Sequence, residues 1–380
     1  MTTNWKASLE VAIKNNINKV SKILNNYSYI ENLSSKLTEI KLKVIENLEY
    51  YLDKCKESIE KNGGNFYFVR NSQEAHKILF NLVGKNKKII MSQSMTAHEI
   101  GVIEYLTSLG NEVIESDLGE FLVQIANEKP FHILAPALHM SKEKVAELLR
   151  EKLNLQVDKN SSIEDLVRLV REYMRDKFTQ ADIGITGANA IAADTGSIIL
   201  VENEGNARIT SSFPSTHIVV AGVEKIVPTF QDAIIQAIVQ SAYAGFFPPA
   251  YISVISSPSF TGDIELRRVS PSHGPKQLNV ILVDNGRIKA SKDEILKEAL
   301  LCIRCGRCHF HCPVYKEYGE DWGHSPYNGP MGAMWSYLVF NDLQPANFVK
   351  DSSECLECME VCPLKINIPK IIDYIKNKKS

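Results

Sequence analysis

Nowhere in the 380-residue chain do about 18 apolar residues follow one another without interruption. The best candidate, Phe230 to Tyr251, is broken by Gln231, Asp232, Gln236 and Gln240, so no membrane-spanning helix is expected. The N-terminus, MTTNWKASLEVAIKNN, lacks a continuous apolar segment and a small-residue cleavage site, which argues against secretion by a signal peptide. A basic surplus is missing as well: Lys and Arg number 43 against 45 Asp and Glu, a net charge of -2. Composition therefore gives no electrostatic footprint for nucleic acid. No G-x-G-x-x-G opens a helix after a strand, so a dinucleotide fingerprint is absent. Cysteine is scarce too, with Cys55 alone before residue 302. These absences point to a cytoplasmic protein, and in a reducing compartment grouped cysteines hold metal more often than they form disulfides.

The group lies near the C-terminus, where seven of the eight cysteines fall between Cys302 and Cys362. Cys302, Cys305, Cys308 and Cys312 form C-x2-C-x2-C-x3-C followed by Pro313, the bacterial-ferredoxin run in which the fourth thiolate serves a different cluster from the first three. Two intervening residues let the chain curl round a compact iron core, Gly306 lets backbone amides approach the sulfides, and Pro313 helps to aim Cys312 away. Cys355, Cys358 and Cys362, followed by Pro363, repeat the last three positions, with Ser352 where the first cysteine would stand. Crossed ligation assigns Cys302, Cys305, Cys308 and Cys362 to one complete 4Fe-4S cluster. Cys312, Cys355 and Cys358 then hold a second cluster with three thiolates, either 3Fe-4S or 4Fe-4S with one iron bound by another ligand. Paired C-x2-C spacings also build zinc ribbons, but seven cysteines with two C-P endings suit iron-sulfur geometry better. His309, His311 and His324 lie near the ligands and are read mainly as hydrogen-bonding or solvent-facing groups, and Cys55 as a small core residue. The spacer from Val314 to Ser353 is longer than a compact ferredoxin needs and suggests a helical ferredoxin-type module.

Before the cysteines the pattern is α/β. Residues 1–62 have no Gly or Pro and carry apolar positions at helical spacing (Leu37, Ile40, Val44, Leu48, Leu52), which predicts two helices forming an arm or cap. Phe66 and Phe68 start a strand, with Ser72 capping the helix after it. Further short β-branched runs follow at 88–91, 112–115, 132–135, 183–186, 197–201, 217–221 and 280–283, separated by helical segments. A largely parallel sheet follows. Ser161-x-x-Glu164 reads as a capping box, and Arg171 and Arg175 as solvated residues on that helix. The expected division is a helical arm over 1–62, an α/β domain over 63–287 and an iron-sulfur domain over 288–380. Between Ala181 and Thr229, Asp194, Thr195, Glu202, Asn206, Arg208 and His217 place polar groups near strand ends, where open α/β sheets bind ligands. Each one singly also has a structural reading as a backbone cap or buried partner.

Together with SQSMTAHEIG (92–101), ESDLGEFLVQ (115–124), HILAPALH (132–139) and GDIELRRVSPSHGPKQLNVILVDNGR (262–287), the segment 181–229 resembles the lactate-utilisation (LUD) domain. Joined to the C-terminal cysteine run, it resembles the lactate-utilisation protein B family, the iron-sulfur subunit of a three-protein L-lactate oxidising system. The resemblance implies a fold similar to the ribose-5-phosphate isomerase, glucosamine-6-phosphate deaminase and CoA-transferase group. Family members often carry Glu where Asp194 stands, and the three-cysteine second motif matches the family pattern. The chain ends at Ser380 where typical members carry a further segment, so partner docking is expected to differ.

The leading expectation is an electron-transfer subunit of an L-lactate or related 2-hydroxy acid oxidation complex. Electrons would leave a small organic acid at the α/β pocket or on a partner subunit, enter the three-thiolate cluster and exit through the complete one. Two other classes compete with it. One is a non-redox CoA-transferase or isomerase with structural clusters, using Glu202 or Glu204 as nucleophile; the other is a redox scaffold in an anaerobic electron-transfer complex.

Overall fold

The computed structural model describes residues 5–158, 160–349 and 355–378. The N-terminal segment forms three helices, α1 (Trp5–Asn26), α2 (Tyr29–Glu46) and α3 (Leu48–Lys61), rather than the expected two. The extra break lies at Asn47, which leaves the helical region at φ -129°, ψ 37° while its amide still bonds to the Val44 carbonyl. Asparagine readily leaves a helix because its side chain competes for backbone partners, and here its Nδ2 donates to the Lys43 carbonyl. The helices are not a free arm. Leu9, Ile13, Val20, Ile30 and Leu37 share one core with Trp322, Trp335, Ile371 and Ile375 near the C-terminus.

A parallel sheet of six strands carries the middle of the chain: β1 (Asn65–Val69), β2 (Lys88–Met91), β3 (Glu112–Glu115), β4 (Ile183–Thr186), β7 (Thr216–Gly222) and β10 (Gln277–Val283). Their order is β1-β10-β7-β4-β2-β3, and every neighbouring pair is parallel. The β-branched residues that announced these strands are buried on both faces, as a parallel sheet covered by helices requires. A second sheet of four strands, β8-β5-β6-β9, comprises β5 (Ala190–Ala192), β6 (Ile198–Glu202), β8 (Ile226–Val227) and β9 (Tyr251–Ile255). The 197–201 run therefore belongs to this second sheet, pairing antiparallel with β5 and β9.

Residues 132–135 form a turn instead of a strand. Pro130 and Pro136 bracket the segment, His132 Nδ1 accepts the Leu134 amide at 3.0 Å, and the fully buried imidazole stacks on Phe310. Local bonding and flanking prolines leave it no ladder partner. The capping box sits one residue later than expected: Ser162 Oγ accepts the Asp165 amide and Asp165 Oδ2 accepts the Ser162 amide, both at 3.1 Å. After Gly286 the chain is mainly helical, with helices at Arg307–His311, Pro313–Tyr318, Gly329–Phe340 and Ile368–Lys376. Among the described residues no helix is long and apolar enough to cross a membrane.

Candidate functional site

Two neighbouring cavities occupy the join between the sheet and the cysteine region. Cys302, Cys305, Cys308 and Cys362 line the first, a small pocket walled otherwise by Arg304 and by apolar groups including Ile133, Ile303, Met331 and Leu364. The loop that carries the first three thiols is wound tightly: Arg304 and Gly306 both adopt left-handed backbone, at φ 63° and 71°. A side chain on Gly306 would not meet the thiols; its Cβ would lie 2.7 Å from Leu134 Cδ1, so this glycine also allows the 132–135 turn to close over the loop.

Burial raises the thiol of Cys362 to about 11 and pushes those of Cys305 and Cys308 further up. Such thiols stay protonated unless strong positive charge replaces the lost hydration. A cluster of iron ions supplies that charge, and four converging sulfurs in an apolar enclosure form the donor set a cubane takes. Among the described residues no three His, Cys, Asp or Glu side chains converge on a single-ion site. The four thiols instead surround a space. The remaining three sit together as well: Cys312 and Cys358 are buried, Cys355 is half-buried, and Cys312 and Cys358 each lie within electrostatic reach of Cys355. Burial raises Cys312 to about 11 and Cys358 to about 12. Ser352 lies outside the described residues.

The histidines nearby are otherwise engaged. His309 Nε2 bonds to Asn328 O at 2.9 Å, with its Nδ1 3.6 Å from Cys308 Sγ, and His324 pairs with Asp342 at 3.2 Å. His311 is partly buried, and burial with nearby Arg307 and Lys316 holds its imidazole down at about 4. Cys55 is a core residue far from both groups, fully buried against β-sheet side chains, with its thiol raised to about 12 by burial.

The second cavity is an open cleft at the carboxyl ends of β2, β4 and β7. Ser92, Gln93 and Ser94 follow β2, Gly187 to Asn189 follow β4, and Lys225 follows β7. Ile133 and Arg304 line this cleft and the cysteine pocket alike, so one layer of side chains separates the two. Of the residues singled out in the sequence, Glu202, Glu204 and Asn206 line the cleft. Glu202 takes the Ala207 and Arg208 amides at 2.7 and 2.8 Å and so caps the helix Asn206–Ser212. Asp194 and Thr195 sit elsewhere, in the turn between β5 and β6, where their carbonyls accept from Ser58 and Asn62 of the N-terminal region. Arg208 stacks its guanidinium on Tyr251, 4.4 Å from the ring centre. His217 is buried against Thr186 Oγ1 at 2.8 Å, and burial pushes its imidazole down to about 3.

Behind the cleft lies a buried charge network that the sequence reading did not identify. Arg287 is fully buried and donates to Glu99 Oε2 and to Glu224 Oε2, both at 2.6 Å. Tyr327 Oη donates to Glu99 at 2.5 Å, Arg304 Nη2 reaches Glu224 at 3.4 Å, and Lys41 Nζ donates to the Glu224 carbonyl at 2.8 Å. Burial alone would raise the Glu224 carboxyl, but Arg287, Arg304, Lys225 and Lys41 overcome it and hold it at about 2. Lys41, Lys225, Arg287 and Arg304 thus gather round Glu99 and Glu224, and Lys41, Lys225 and Arg304 also lie within electrostatic reach of Cys302 in the four-thiol pocket. Six separate stretches of the sequence meet here, so no motif could have disclosed the arrangement. Only the oddity of charged residues inside apolar stretches, such as Glu224 and Lys225 after IVVAGV, hinted at it.

The same two regions carry the likenesses to known proteins. The LUD domain family matches residues 52–283, and the 4Fe-4S dicluster domain family matches residues 298–366. Lactate utilization protein B of Bacillus subtilis (strain 168) is 39% identical over 341 residues, covering 88% of this chain and 68% of its own length. The chain belongs to the lactate utilization protein B family. Lactate utilization protein B of Oceanobacillus iheyensis is 38% identical, covering 87% of this chain and 67% of its own, and that of Bacillus licheniformis is 37% identical, covering 93% and 72%. A crystal structure of a DUF162 family protein from Deinococcus radiodurans aligns over 62% of this chain and 98% of its own at 17% identity and a TM-score of 0.35. In this member of the lactate utilization protein B family, the LUD segment supplies the cleft and the dicluster segment supplies the thiols beside it.

Proposed function

We propose that the chain is the iron-sulfur electron-transfer subunit of a system that oxidises L-lactate or a related 2-hydroxy acid, with partner subunits completing it. Cys302, Cys305, Cys308 and Cys362 would hold one 4Fe-4S cluster, and Cys312, Cys355 and Cys358 a second. When bound, the clusters accept and pass single electrons. The chain divides for this purpose into a helical N-terminal part over 1–62, the α/β part over 63–287 and the cluster part over 288–380.

The observation that supports this reading most directly is the single layer of side chains, Ile133 and Arg304, between the cleft and the four-thiol pocket. An electron released in the cleft meets the complete cluster first and the three-thiol site after it, the reverse of the order expected from sequence. The three thiols follow closely, because Cys308 of the first group lies within electrostatic reach of Cys358 of the second. The protein's own part is to exclude water from the first cluster and to surround it with buried cations. The transferase reading loses support at Glu202, both of whose carboxylate oxygens are occupied by backbone amides, while Glu204, the other nucleophile it names, lines the cleft with one oxygen accepting the Leu118 amide at 3.3 Å. The test is anaerobic reconstitution of the full chain with its partner subunits, followed by addition of L-lactate. Cluster reduction, seen as bleaching of visible absorbance and a new EPR signal, is the expected outcome; clusters that stay oxidised with every subunit present sink the proposal.

A further inference from the structure

The second sheet leaves an open edge among the described residues: in the order β8-β5-β6-β9, β9 pairs with β6 alone. The strand reads Tyr251-Ile252-Ser253-Val254-Ile255 and has no Lys, no Pro and no charge, the devices that usually keep an edge from pairing with another chain. One face of it is also left uncovered. The helix Phe230–Ala244 packs on Ile199 and Val201 of β6 through Ala233, Ala237 and Ile234, yet their cross-strand neighbours Val254 and Ile252 stay exposed, Val254 at 44%. Beyond β9 the chain forms an arm closed by Thr261 and Val269, whose amides and carbonyls exchange two bonds of 2.9 Å. At its tip Glu265 and Leu266 both hold left-handed backbone, at φ 53° and 54°, and Leu266 is 95% exposed. Such backbone costs a residue with a side chain about 1–2 kcal/mol, and here it holds a large apolar group out into water.

We infer that β9 and its arm are the interface for a second copy of this chain, the two β9 strands pairing antiparallel about a two-fold axis at Ser253 to join the sheets into one of eight strands. In that register the strand is its own complement: Tyr251 meets Ile255, Ile252 meets Val254, and Ser253 meets its own copy across the axis. Aromatic and β-branched side chains are the pairs that stabilise antiparallel neighbours, and no like charges are opposed. The surrounding charges agree with a copy rather than with a partner of one strong sign. Residues 251–269 carry Asp263 and Glu265 against Arg267 and Arg268, a balance that gives a second copy no surplus of its own sign to meet. Exposed Arg208 lies on Tyr251 at the start of the strand, whereas the exposed acids Asp263 and Glu265 lie on the arm that leaves its end. Antiparallel pairing sets the start of one strand beside the end of the other, and so turns the base of each copy toward the acids of its mate.

The test is sedimentation velocity of the anaerobically reconstituted full chain over a range of concentrations. Reversible association to twice the chain mass is expected. Val254→Lys replaces an exposed side chain and should weaken that association about tenfold or more, Val254→Thr should leave it nearly unchanged, and unaltered cluster EPR shows that each variant is intact. Hydrogen exchange of the unsubstituted protein gives a reading that needs no variant: amides of β9 should exchange more slowly as concentration rises. A monomer at every concentration, a dimer that Val254→Lys leaves intact, or β9 amides indifferent to concentration would each overturn the inference. It would equally fall if the chain stayed monomeric alone and used the Val254 edge to bind a different protein.

Discussion

The thiols of the two groups are about equally exposed, with Cys302, Cys308 and Cys362 half-buried in one and Cys355 in the other, but the first group lines an apolar pocket that it shares with buried Arg304, whereas the second carries exposed Leu356 beside Cys355. The two groups come from nearly the same spacing, and the difference lies in what surrounds them. A cluster that is anionic as a whole is stabilised in the first setting by nearby cations and shielded from water, so its charge is balanced before any partner binds. The second setting offers Cys312 the carboxylate of Glu357 as a charged neighbour instead of buried cations. The largest test of this contrast is ligand removal. Under the proposed crossed ligation, Cys362→Ala should remove a ligand of the first cluster alone, lowering the iron content from about eight toward about four per chain and leaving the second cluster's EPR signal. Cys355→Ala should do the opposite. Loss of the second signal on Cys362→Ala would mean that the ligation is not crossed and that the comparison is drawn between the wrong sets.

Next in size is an effect on the charges behind the first pocket alone. Glu224→Gln removes the carboxylate that Arg287 meets at 2.6 Å and Arg304 at 3.4 Å, leaving buried cations with only Glu99 to balance them. Removing one member of such a buried network costs about 3–5 kcal/mol. Anaerobic chemical denaturation of the reconstituted variant should show that loss, and redox titration should show the first cluster shifted to a more positive potential while the second stays put. Equal shifts in both clusters would show that the network acts on the whole C-terminal region and that the contrast in surroundings has no functional edge.

How much of this was legible beforehand follows from the physics of each feature. The cysteine motifs could be read because a cubane imposes short, fixed spacing on one stretch of chain, and the parallel strands because burial on both faces demands continuous β-branched runs. Glu202 and Asn206 were also found, since they follow a strand whose end opens on the cleft. Asp194 and Thr195 have the same local pattern, but they lie at the opposite end of the same strand β6, in the β5–β6 turn that faces Ser58 and Asn62. Sequence periodicity does not say which end of a short strand opens on a cleft. The Arg287 network escaped for a different reason: Lys41, Glu99, Glu224, Arg287, Arg304 and Tyr327 become neighbours only in the tertiary fold. No spacing rule links them.

The smallest expected effect compares equivalent positions of the two motifs. Gly306 follows Cys305 and Leu356 follows Cys355, so both stand directly after a ligand two residues before the next one. Their backbones differ: Gly306 is left-handed at φ 71°, while Leu356 has an ordinary φ of -97°. Gly306→Ala therefore adds a Cβ in a conformation that costs an L-residue about 1 kcal/mol, and that Cβ lies 2.7 Å from Leu134 Cδ1 and 3.2 Å from the His132 ring. Leu134 can rotate away, but the buried His132 cannot easily follow, so the expected loss is about 1–2 kcal/mol in anaerobic denaturation. Leu356→Ala, on an exposed side chain in relaxed backbone, should stay within about 0.5 kcal/mol of the parent. If the two substitutions cost the same, the tight closure of the 132–135 turn over the first loop is not what distinguishes the enclosed site, and the explanation falls back on the charges alone.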